Sequence, residues 1–438
     1  MIYDVAIIGA GPAGMAVAKQ LDKKLKVVLI EKGQAAEKRT SITSGFGGAG
    51  LFSDGKLVVS DTVGGNIKQY TNEPYRYLEL AAYMCGIQEA PYTKVYLNDK
   101  QQDLVNRASR EGIELLATNT YHLGTDGSRE FTEKMFNELD KKCDIRLNTN
   151  VHSIEQIDGI FHLHAGEFGM DSETYRAKTL VIAAGREGSK WTEQVLSEMK
   201  VKVGGNKVDL GVRMEVPDAV AEELVAFSHD FKMHYYTECF DDLVRTFCVC
   251  PHGEVVREQF NDLTTCNGHS YKEGKTKNTN FALLVSIPFG APIHPNEFGR
   301  SIVSLANNIA EGGVIVQRLG DLISGRRSTA DRVTKSIVKP TLDAFPGDLS
   351  LVLPYRYLSD LTEMIQVMDK VAPGMVADGN LVYGVEVKFY SNVIELKEME
   401  TSIPNLYCVG DGSGVSRGII QAVASGIIAA DSINKRNK

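Results

Sequence analysis

Two glycine-rich segments near the start of the chain have the residue types and spacing of a phosphate-binding turn. GAGPAG at 9–14 and SGFGGAG at 44–50 each contain a G-x-G-x-x-G pattern. In this pattern the backbone turns tightly and approaches a pyrophosphate, which binds the N–H groups at the start of the following helix. The pattern alone fits either segment, so the elements on each side must decide which one binds a dinucleotide.

The segment at 9–14 has the flanking elements that this chemistry requires. YDVAIIG before it is almost continuously apolar, as in a parallel strand buried on both faces, and MAVAKQL after it has helical character. KVVLIE then predicts a second strand that ends at Glu31, whose carboxylate can accept hydrogen bonds from ribose hydroxyls. We therefore predict a dinucleotide site in which Gly9 makes the turn, Gly11 faces the pyrophosphate and Gly14 lets the helix pack on the strand.

The segment at 44–50 lacks those elements. It follows the polar KRTSITS and leads into LFSDGKLVVS, which predicts a strand broken at an Asp54-Gly55 turn, with no helix in the required place. Its glycines have two explanations, a flexible loop or a backbone that passes close to a flat or phosphorylated ligand where a Cβ would collide. The rest of the chain favours the second, so we predict that this loop contacts the dinucleotide held by the first.

Three later segments predict further parts of one nucleotide-binding domain. VHSIEQIDGIFHLHAG with SETYRAK, after Asn150, predicts a small antiparallel ribbon, and TLVIAAGREG at 179–188 predicts another buried parallel strand. NLYCVGDGSGVSRGIIQAVASGIIAADSI predicts a strand, a glycine-rich loop containing Asp411, and a helix of small residues from about Gly418. The positive end of that helix can face an anionic group.

These motifs, in this order, resemble the FAD-binding fold of the glutathione-reductase type. GFGGAGLFSDGKL, HLGTD, LGVRMEVP, RTFCVCPHGEVV, CNGHS and GDGSGVSRGIIQA further resemble a family of bacterial FAD-dependent (NAD/FAD-utilising) dehydrogenases over nearly the whole chain. The resemblance implies that Asp411 meets ribityl or ribose hydroxyls and that Gly418 and Ile419 lie near the N1 and O2 side of the flavin. The chain departs from the family in lacking the N-terminal extension of many members and in having His252-Gly253 where a Gly-Gly pair is expected.

The cofactor prediction is noncovalent FAD rather than NAD, because a nicotinamide dehydrogenase does not need Asp411 and its loop so far along the chain. A second complete fingerprint for NAD(P)H is absent from the sequence, so NAD(P)H is expected only as a transient reductant. The predicted FAD contacts are Gly9, Gly11, Pro12, Ala13, Gly14, Glu31, Lys32, Arg39, Ser44, Gly45, Gly47, Gly48, Lys56, Val151, Ala184, Gly185, Gly410, Asp411, Gly418 and Ile419.

The predicted fold class is α/β with two domains. Residues 1–200 and 376–438 are expected to build a discontinuous Rossmann-like FAD domain with a parallel central sheet and the small antiparallel ribbon. Residues 201–375 are expected to form an inserted substrate domain with a mixed or antiparallel sheet and helices. EFGRSIVSLANNIAEGGVIVQRLGDLI in that insertion predicts helix with a glycine interruption.

Three residues are candidates for catalysis. Cys250 precedes Pro251 at a strand end, and His252 can give or take a proton near neutral pH, although a lone histidine is more often a surface residue. Lys388, like Lys56, could stabilise the anionic reduced flavin, or it could be an exposed strand lysine. Cys248 would share a strand face with Cys250, but their spacing is not that of a common redox pair and a core role is favoured.

Two further sets of residues alternate onto one face of a predicted strand. Arg213 and Glu215 form either a substrate clamp or a solvated face. The same two interpretations apply to Asn267, His269 and Tyr271.

Composition limits the partners and the location. The chain has 438 residues, a net charge of −8, no apolar run that could span a bilayer and no basic segment of a signal peptide, which predicts a cytoplasmic protein. Its seven cysteines are scattered and odd in number, which favours reduced thiols, and no metal-binding spacing occurs. The charge disfavours nucleic acid as a partner.

We therefore predict an FAD-dependent oxidoreductase that acts on a small molecule, while the oligomeric state stays open. The alternatives are a flavin-dependent RNA-modifying enzyme, and a redox sensor or assembly protein in which FAD is not catalytic.

Overall fold

The computed structural model describes most of the chain, and these residues form two compact units. Unit 1 comprises residues 1–94, 118–206 and 391–438, and unit 2 comprises residues 95–117 and 207–390. The described residues are 1–41, 43–52, 55–88, 97–166, 173–204, 207–260, 262–270, 275–287, 293–389 and 393–437.

Both units combine strands with helices. The strands are β1 (Ile2–Ile8), β2 (Val27–Ile30), β3 (Lys56–Val59), β4 (Glu114–Leu116), β5 (Asn119–His122), β6 (Asp144–Arg146), β7 (Asn150–Ile157), β8 (Ile160–Gly166), β9 (Glu173–Ile182), β10 (Val203–Gly204), β11 (Val208–Pro217), β12 (Lys232–Tyr236), β13 (Leu243–Cys250), β14 (Glu254–Phe260), β15 (Leu263–His269), β16 (Asn278–Ile287), β17 (Ile315–Arg318), β18 (Phe345–Pro346), β19 (Leu381–Phe389), β20 (Val393–Ile394) and β21 (Leu406–Cys408). The α-helices are α1 (Pro12–Gln20), α2 (Gly48–Leu51), α3 (Pro74–Met84), α4 (Asp99–Arg110), α5 (Gly124–Leu139), α6 (Ser189–Glu198), α7 (Asp218–Phe227), α8 (Pro295–Ile309), α9 (Leu319–Ile323), α10 (Ala330–Thr334), α11 (Tyr355–Val371) and α12 (Ile419–Arg436). Short 3₁₀ segments occur at Ala36–Lys38, Ile67–Gln69, Leu349–Leu351 and Asp411–Ser413.

Unit 1 is built on a parallel sheet, as predicted. Its strand order is β6-β2-β1-β9-β8-β7, and β21 also pairs with β9. The pairs β6–β2, β2–β1, β1–β9 and β21–β9 are parallel, whereas β7 and β8 form an antiparallel ribbon that joins β9. The predicted SETYRAK ribbon strand is therefore the first part of β9, which continues without a break into the parallel sheet.

Both faces of this sheet are covered, which explains the continuous apolar runs of its strands. Ile7, Leu29 and Val181 point to one core with α1 and α12, whereas Ile8 and Ile182 point to another core on the opposite face. The four loops that follow β1, β2, β9 and β21 thus leave the same carboxyl edge of a sheet buried on both sides, which is where α/β proteins bind nucleotides.

The structure corrects the prediction for the end of the second glycine-rich loop. Gly48–Leu51 form one helical turn, α2, and β3 begins only at Lys56, so Leu51 is helical rather than extended. The predicted turn involved Asp54, which lies outside the described residues. Periodicity could not identify a single four-residue turn, because such a turn is shorter than one repeat of an amphipathic pattern.

Unit 2 contains a mixed, mainly antiparallel sheet with the order β18-β17-β19-β11-β16-β13-β12-β4, and β14 and β15 form a separate hairpin. Helices α8 and α11 cover one face, where Val303, Met364 and Met368 join apolar residues of β11 and β16 in one core. The other face carries buried polar side chains of β11, β16 and β19, described below. The predicted α/β fold, with a parallel central sheet in one domain and a mixed sheet in the second, is therefore confirmed.

The boundaries of the units differ from the predicted ones. Residues 95–117 belong to unit 2 because β4 pairs with β12, at the edge of the unit 2 sheet. Residues 376–390 also belong to unit 2, because β19 lies between β17 and β11 in the same sheet. Both segments are distant along the chain from their strand partners, so local composition carried no signal of these pairings.

One helix prediction in unit 2 is partly wrong. Helix α8 ends at Ile309, and the apolar run after the glycines forms strand β17 instead of a second helical segment. The run is short and β-branched, and β17 pairs with β19. Among the described residues, no helix combines the length and the apolar composition needed to cross a bilayer.

Candidate functional site

The two glycine-rich loops of unit 1 lie directly against each other. The Gly47 N–H donates a 2.9 Å hydrogen bond to the Ala10 carbonyl oxygen. A Cβ added to Gly48, whose φ is +64°, would lie 2.9 Å from the Gly11 Cα and 3.2 Å from the Pro12 Cδ. The second loop therefore needs glycine where it meets the first, and it reaches the predicted pyrophosphate turn.

Glu31 joins these two loops through its carboxylate. Its Oε2 accepts a 2.9 Å hydrogen bond from the Ala10 N–H, and its Oε1 accepts 2.9 Å hydrogen bonds from the N–H groups of Gly33 and Gly45. Glu31 is only 6% exposed. A carboxylate has about four acceptor positions, so Oε2 can still accept a hydrogen bond from a ribose hydroxyl. Glu31 thus holds the loop geometry as well as facing the predicted ribose.

The remaining glycines of the first motif meet backbone atoms of unit 1. A Cβ on Gly9, whose φ is +102°, would collide with the carbonyl oxygen of Ala183 in the loop after β9. A Cβ on Gly14 would collide with the Gly9 carbonyl oxygen. Helix α1 begins at Pro12 after Gly11, and no side chain among the described residues caps its first turn. Its N–H groups are therefore available to an anion.

Arg39 holds the second loop from the other side. Its guanidinium donates hydrogen bonds to the carbonyl oxygens of Ser41, Phe46 and Gly48 at 2.8, 3.3 and 2.8 Å, and it lies over the Phe52 ring. The side chain is buried, and desolvation lowers the pKa of this arginine although Glu31 opposes that effect. Arg39 was predicted only as an FAD contact, and the structure shows that it also shapes the loop.

The turn after β21 carries Asp411 to the same edge of the sheet. Asp411 Oδ1 accepts a 2.6 Å hydrogen bond from the Ser416 hydroxyl, and Oδ2 lies 3.3 Å from Arg186 Nη2. Gly418 then precedes α12, whose first turn has no side-chain cap among the described residues. Strand β21, which pairs in parallel with β9, leads directly into this turn, and α12 follows the turn.

Gln421 is a structural residue of this region that sequence reasoning missed. It is 1% exposed, its Oε1 accepts a hydrogen bond from the Ile67 N–H, and its Nε2 donates to the carbonyl oxygens of Ser60 and Val63. These bonds fasten the 60–67 loop to the first turn of α12. The available signal was a lone amide among the apolar and small residues that begin this helix.

The other predicted FAD contacts lie in or next to the strands and helices of unit 1. Ala13 lies in α1, Ala184 and Gly185 follow β9, Gly410 follows β21, and Ile419 begins α12. Val151 is buried in β7, Ser44 bonds with Ser41, Lys32 is exposed in an ion pair with Glu187, and Lys56 begins β3.

These residues fit an FAD. The fit rests on the start of α1, which no side chain among the described residues caps, and on the remaining acceptor position of Glu31 after β2. The start of α1 would hold the pyrophosphate, Glu31 the adenosine ribose, and Asp411 hydroxyls nearer the flavin.

We expect Gly48→Ala to weaken FAD binding by about tenfold, because the new Cβ meets backbone atoms of Gly11 that cannot move aside without opening the turn. The matched control is Gly159→Ala, since Gly159 has a φ of +77° and nothing within 4 Å of the added Cβ. In both variants the left-handed backbone conformation costs about 1 kcal/mol. The difference between their FAD affinities, measured by titration of each apoprotein, therefore reports the contact between Gly48 and Gly11. Equal affinities would show that the contact between the loops does not shape the site.

The three predicted catalytic residues lie in unit 2 and have different partners. Cys250 is buried at the end of β13. His252 follows in a turn, with Nδ1 2.7 Å from Asp218 Oδ2, and its side chain is 45% exposed. Lys388 lies on β19, with its ammonium 3.2 Å from Glu386 and 3.6 Å from Glu258. Within the described residues, no hydrogen bond or ion pair joins the His252 ring to Cys250 or Lys388.

Lys388 belongs instead to a buried polar cluster that surrounds Arg213. The Arg213 guanidinium donates to both carboxylate oxygens of Glu386, at 2.7 and 3.0 Å, and both side chains are fully buried. It also donates to Asn280 Oδ1, Asn267 Oδ1 and the Cys248 carbonyl oxygen, at 2.7, 3.2 and 3.1 Å. We call these residues the Arg213 cluster.

The structure excludes the solvated-face interpretation of Arg213 and Glu215. Both residues are 0% exposed, and Glu215 accepts hydrogen bonds from Tyr383, Thr341 and Asn278 at 2.6, 2.6 and 2.9 Å. Desolvation raises the pKa of Glu215 although these donors oppose that effect. Of the second set, Asn267 joins the Arg213 cluster and His269 is exposed, whereas Tyr271 lies outside the described residues.

Two family models match this chain. One, described as "Pyridine nucleotide-disulphide oxidoreductase", matches residues 3–187, and the other, described as "FAD-dependent protein, C-terminal domain-like", matches residues 209–389. The first range ends within unit 1 and the second lies within unit 2. Together they agree with an FAD-binding segment followed by a domain found in FAD-dependent proteins.

Individual relatives are also similar. An uncharacterized protein of Clostridium beijerinckii is 24% identical over 471 residues, covering 98% of this chain and 80% of that protein. The uncharacterized protein MJ1450 of Methanocaldococcus jannaschii is 36% identical over 89 residues, 18% of this chain and 24% of that protein. Among solved structures, glycine oxidase from Geobacillus kaustophilus is 12% identical, with a TM-score of 0.39, covering 99% of this chain and 95% of that one.

Proposed function

We propose that this chain, an FAD-dependent oxidoreductase by its fold and its cofactor, transfers hydride or electrons between bound FAD and a small organic substrate. The observation that carries the proposal is the convergence of four loops at the carboxyl edge of the unit 1 sheet, with Glu31 bonded to two of them. FAD, when bound, supplies the redox chemistry, so the protein must bind it, orient it and handle protons.

Unit 1 supplies the binding and orientation. The N–H groups at the start of α1 would bind the pyrophosphate, and the Glu31 carboxylate would accept from the ribose. Because Gly47 and Gly48 bring the second loop onto the first motif, this loop would exclude water from the pyrophosphate. Each of these groups is fixed by hydrogen bonds inside unit 1, which favours a tightly held cofactor.

Unit 2 supplies the proposed substrate residues. His252 and Asp218 form a half-exposed pair at 2.7 Å, in which Asp218 would orient the ring and the imidazole would give or take a proton. Lys388 would hold a positive charge on the polar side of the sheet, where Glu386 and Glu258 keep it ionised. Cys250, buried at the end of β13, is the third candidate.

Anaerobic titration of the purified protein tests the proposal. We expect a yellow protein whose flavin absorbance near 450 nm bleaches with NADH, NADPH or one member of a metabolite panel and recovers with an acceptor. FAD that no donor reduces would favour a redox sensor or assembly protein. A protein that stays colourless after reconstitution with FAD would contradict the cofactor assignment.

The remaining alternatives concern partner and location. The net charge of −8 favours a small molecule over RNA, and addition of RNA to the anaerobic titration would reveal an RNA-modifying activity as altered flavin turnover. A cytoplasmic location is proposed because the seven cysteines form no disulfide in the fold.

We expect His252→Gly to leave FAD bound and to change the pH profile of turnover. His252 has a φ of +52°, so glycine, the family-like residue, relieves left-handed strain of about 1 kcal/mol, while the bond to Asp218 of similar size is lost. The melting temperature should therefore shift little. The control is His234→Gln, because that histidine lies within β12 and outside the turn that carries His252. An unchanged pH profile for His252→Gly would remove His252 from the proposed chemistry.

A further inference from the structure

Cys248 and Cys250 lie at an irregularity in strand β13. Phe247 pairs with Ala282 and Cys250 pairs with Asn280 on β16, so β13 contains one extra residue between these pairs. Cys248 has a φ of +45°, which is uncommon for a residue with a side chain. A β-bulge of this kind redirects side chains from their ordinary alternation. Cys250 Sγ donates a 3.7 Å hydrogen bond to the Cys248 carbonyl oxygen, so the side chain of Cys250 lies against the backbone of Cys248.

The Arg213 cluster holds this bulge in place. The guanidinium of Arg213 donates a 3.1 Å hydrogen bond to the Cys248 carbonyl oxygen and is itself fixed by Glu386 and Asn280. A fully buried cation thus lies beside the backbone of Cys248. A bulge that a buried, fully bonded arginine stabilises is a specified feature of the fold rather than a local irregularity.

The two thiols differ in environment. Cys250 is 6% exposed and is covered by β15, since a Cβ added to Gly268 would lie 2.9 Å from Cys250 Sγ, whereas Cys248 is half-buried. The neighbouring Cys250 side chain lowers the pKa of the Cys248 thiol, burial opposes this effect, and Arg213 adds to it. The neighbouring Cys248 side chain and burial raise the pKa of Cys250. One thiol is therefore suited to be a thiolate and the other to remain protonated.

The other cysteines lack these features. Residues 3–187, which match the disulphide-oxidoreductase model, contain only Cys85 and Cys143, and both are buried and unpaired. Burial raises the pKa of Cys85 to about 12 and that of Cys143 to about 11. Cys239 is exposed, and its pKa is also raised, by desolvation and by Glu363. The chain thus has one C-x-C pair with an activated member, and it lies in unit 2.

We propose that Cys248 and Cys250 form a redox-active dithiol that reduces small organic disulfides and closes to an intramolecular disulfide. The Cys248 thiolate attacks one sulfur of RSSR, the S–S bond breaks, and RS⁻ leaves and takes up a proton. Cys250 then loses its proton and attacks the Cys248 sulfur, which expels the second RS⁻. Two cysteine thiols are oxidised, and one RSSR is reduced to two RSH. This proposal goes beyond the proposed flavin chemistry and is tested on protein thiols alone.

The experiment uses the full-length, FAD-loaded Cys239→Ser protein, in which the exposed thiol is removed and six thiols remain of the seven. It is treated anaerobically with hydroxyethyl disulfide, quenched in acid, unfolded and alkylated, and its peptides are weighed. We expect loss of two alkylated thiols, with Cys248 and Cys250 joined in one peptide that is two hydrogen atoms lighter. Six alkylated thiols at saturating disulfide would overturn the proposal.

Two matched variants in the same background test the roles of the thiols. Cys250→Ser removes the resolving thiol, so we expect a stable mixed disulfide on Cys248. Cys248→Ser removes the attacking thiol, so we expect Cys250 to stay unmodified. An adduct on Cys250 that is as abundant as the adduct on Cys248 would contradict the assignment. The number of alkylated thiols in the Cys239→Ser protein tests the proposal by itself. The test therefore still holds if one of the two variants fails to fold.

Discussion

Replacing Glu31 with glutamine is expected to weaken FAD binding by about 10- to 100-fold and to destabilise unit 1 by about 2 kcal/mol. Glutamine has nearly the same volume, but its side chain offers one carbonyl oxygen where the carboxylate offers two. The Glu31 oxygens accept three backbone hydrogen bonds, from Ala10, Gly33 and Gly45. The amide NH₂ group would face at least one of these donors, and a hydrogen bond to a charged group contributes about 1.5 to 3 kcal/mol. Each 1.4 kcal/mol lost from binding is about tenfold in affinity.

The cofactor is affected because the donors belong to both glycine-rich loops. Ala10 lies in the first motif and Gly45 in the second, so losing either bond separates the loops that face the pyrophosphate. FAD titration of apoprotein, followed by flavin fluorescence, measures the effect. The control is Glu37→Gln, which removes the same charge from an exposed position six residues away. If the two variants bind FAD equally, Glu31 is not a determinant of the site.

The sequence was most informative where a motif and its flanking elements are consecutive. The strand, turn, helix and acid of residues 2–31 occupy one stretch of chain, and each leaves a local mark: an apolar run, glycines, helical spacing and a terminal carboxylate. The structure of the second loop is harder to predict from sequence, because its contact with Gly11 is a long-range tertiary contact. Glycine composition predicted a close approach there, but it could not identify the one-turn helix α2.

Long-range pairing accounts for most of what could not be predicted. Strand β19 joins the unit 2 sheet through partners more than 60 residues away along the chain, so the boundary predicted at 375 preceded a strand that belongs to unit 2. Likewise, the spacing of Arg213 and Glu215 correctly predicted that both side chains lie on one face of a strand. The burial of that face depends on neighbouring elements that a single strand pattern does not describe.

The C-x-C segment shows the same limit at the level of chemistry. Regular alternation puts Cys248 and Cys250 on one face and favours a core role. No residue near them in the sequence, such as a glycine at position 248, indicates a bulge. The bulge is held by Arg213, which lies 35 positions earlier and donates to the Cys248 carbonyl oxygen. The two cysteines could be found in the sequence, but the hydrogen bond from Arg213 that holds the bulge could not.

Arg213→Met should destabilise unit 2 by about 3 to 5 kcal/mol, the cost of leaving one member of a buried ion pair without its partner. Methionine fills a similar volume, but among the described residues Glu386 would keep only its ion pair with Lys388, at 3.2 Å. The Asn280 Nδ2 has no hydrogen-bond partner among these residues, and its Oδ1 would lose the bond from Arg213.

Urea denaturation of Arg213→Met, Glu386→Leu and the double variant measures this effect and the coupling between the two side chains. The double variant should be less destabilised than the sum of the single variants, because it no longer buries an unpaired charge. Arg300→Met is the matched control, since Arg300 forms an exposed 2.8 Å pair with Asp262 that should contribute at most about 1 kcal/mol. Equal losses for Arg213→Met and Arg300→Met would mean that the cluster stabilises neither the sheet nor the bulge that holds Cys248.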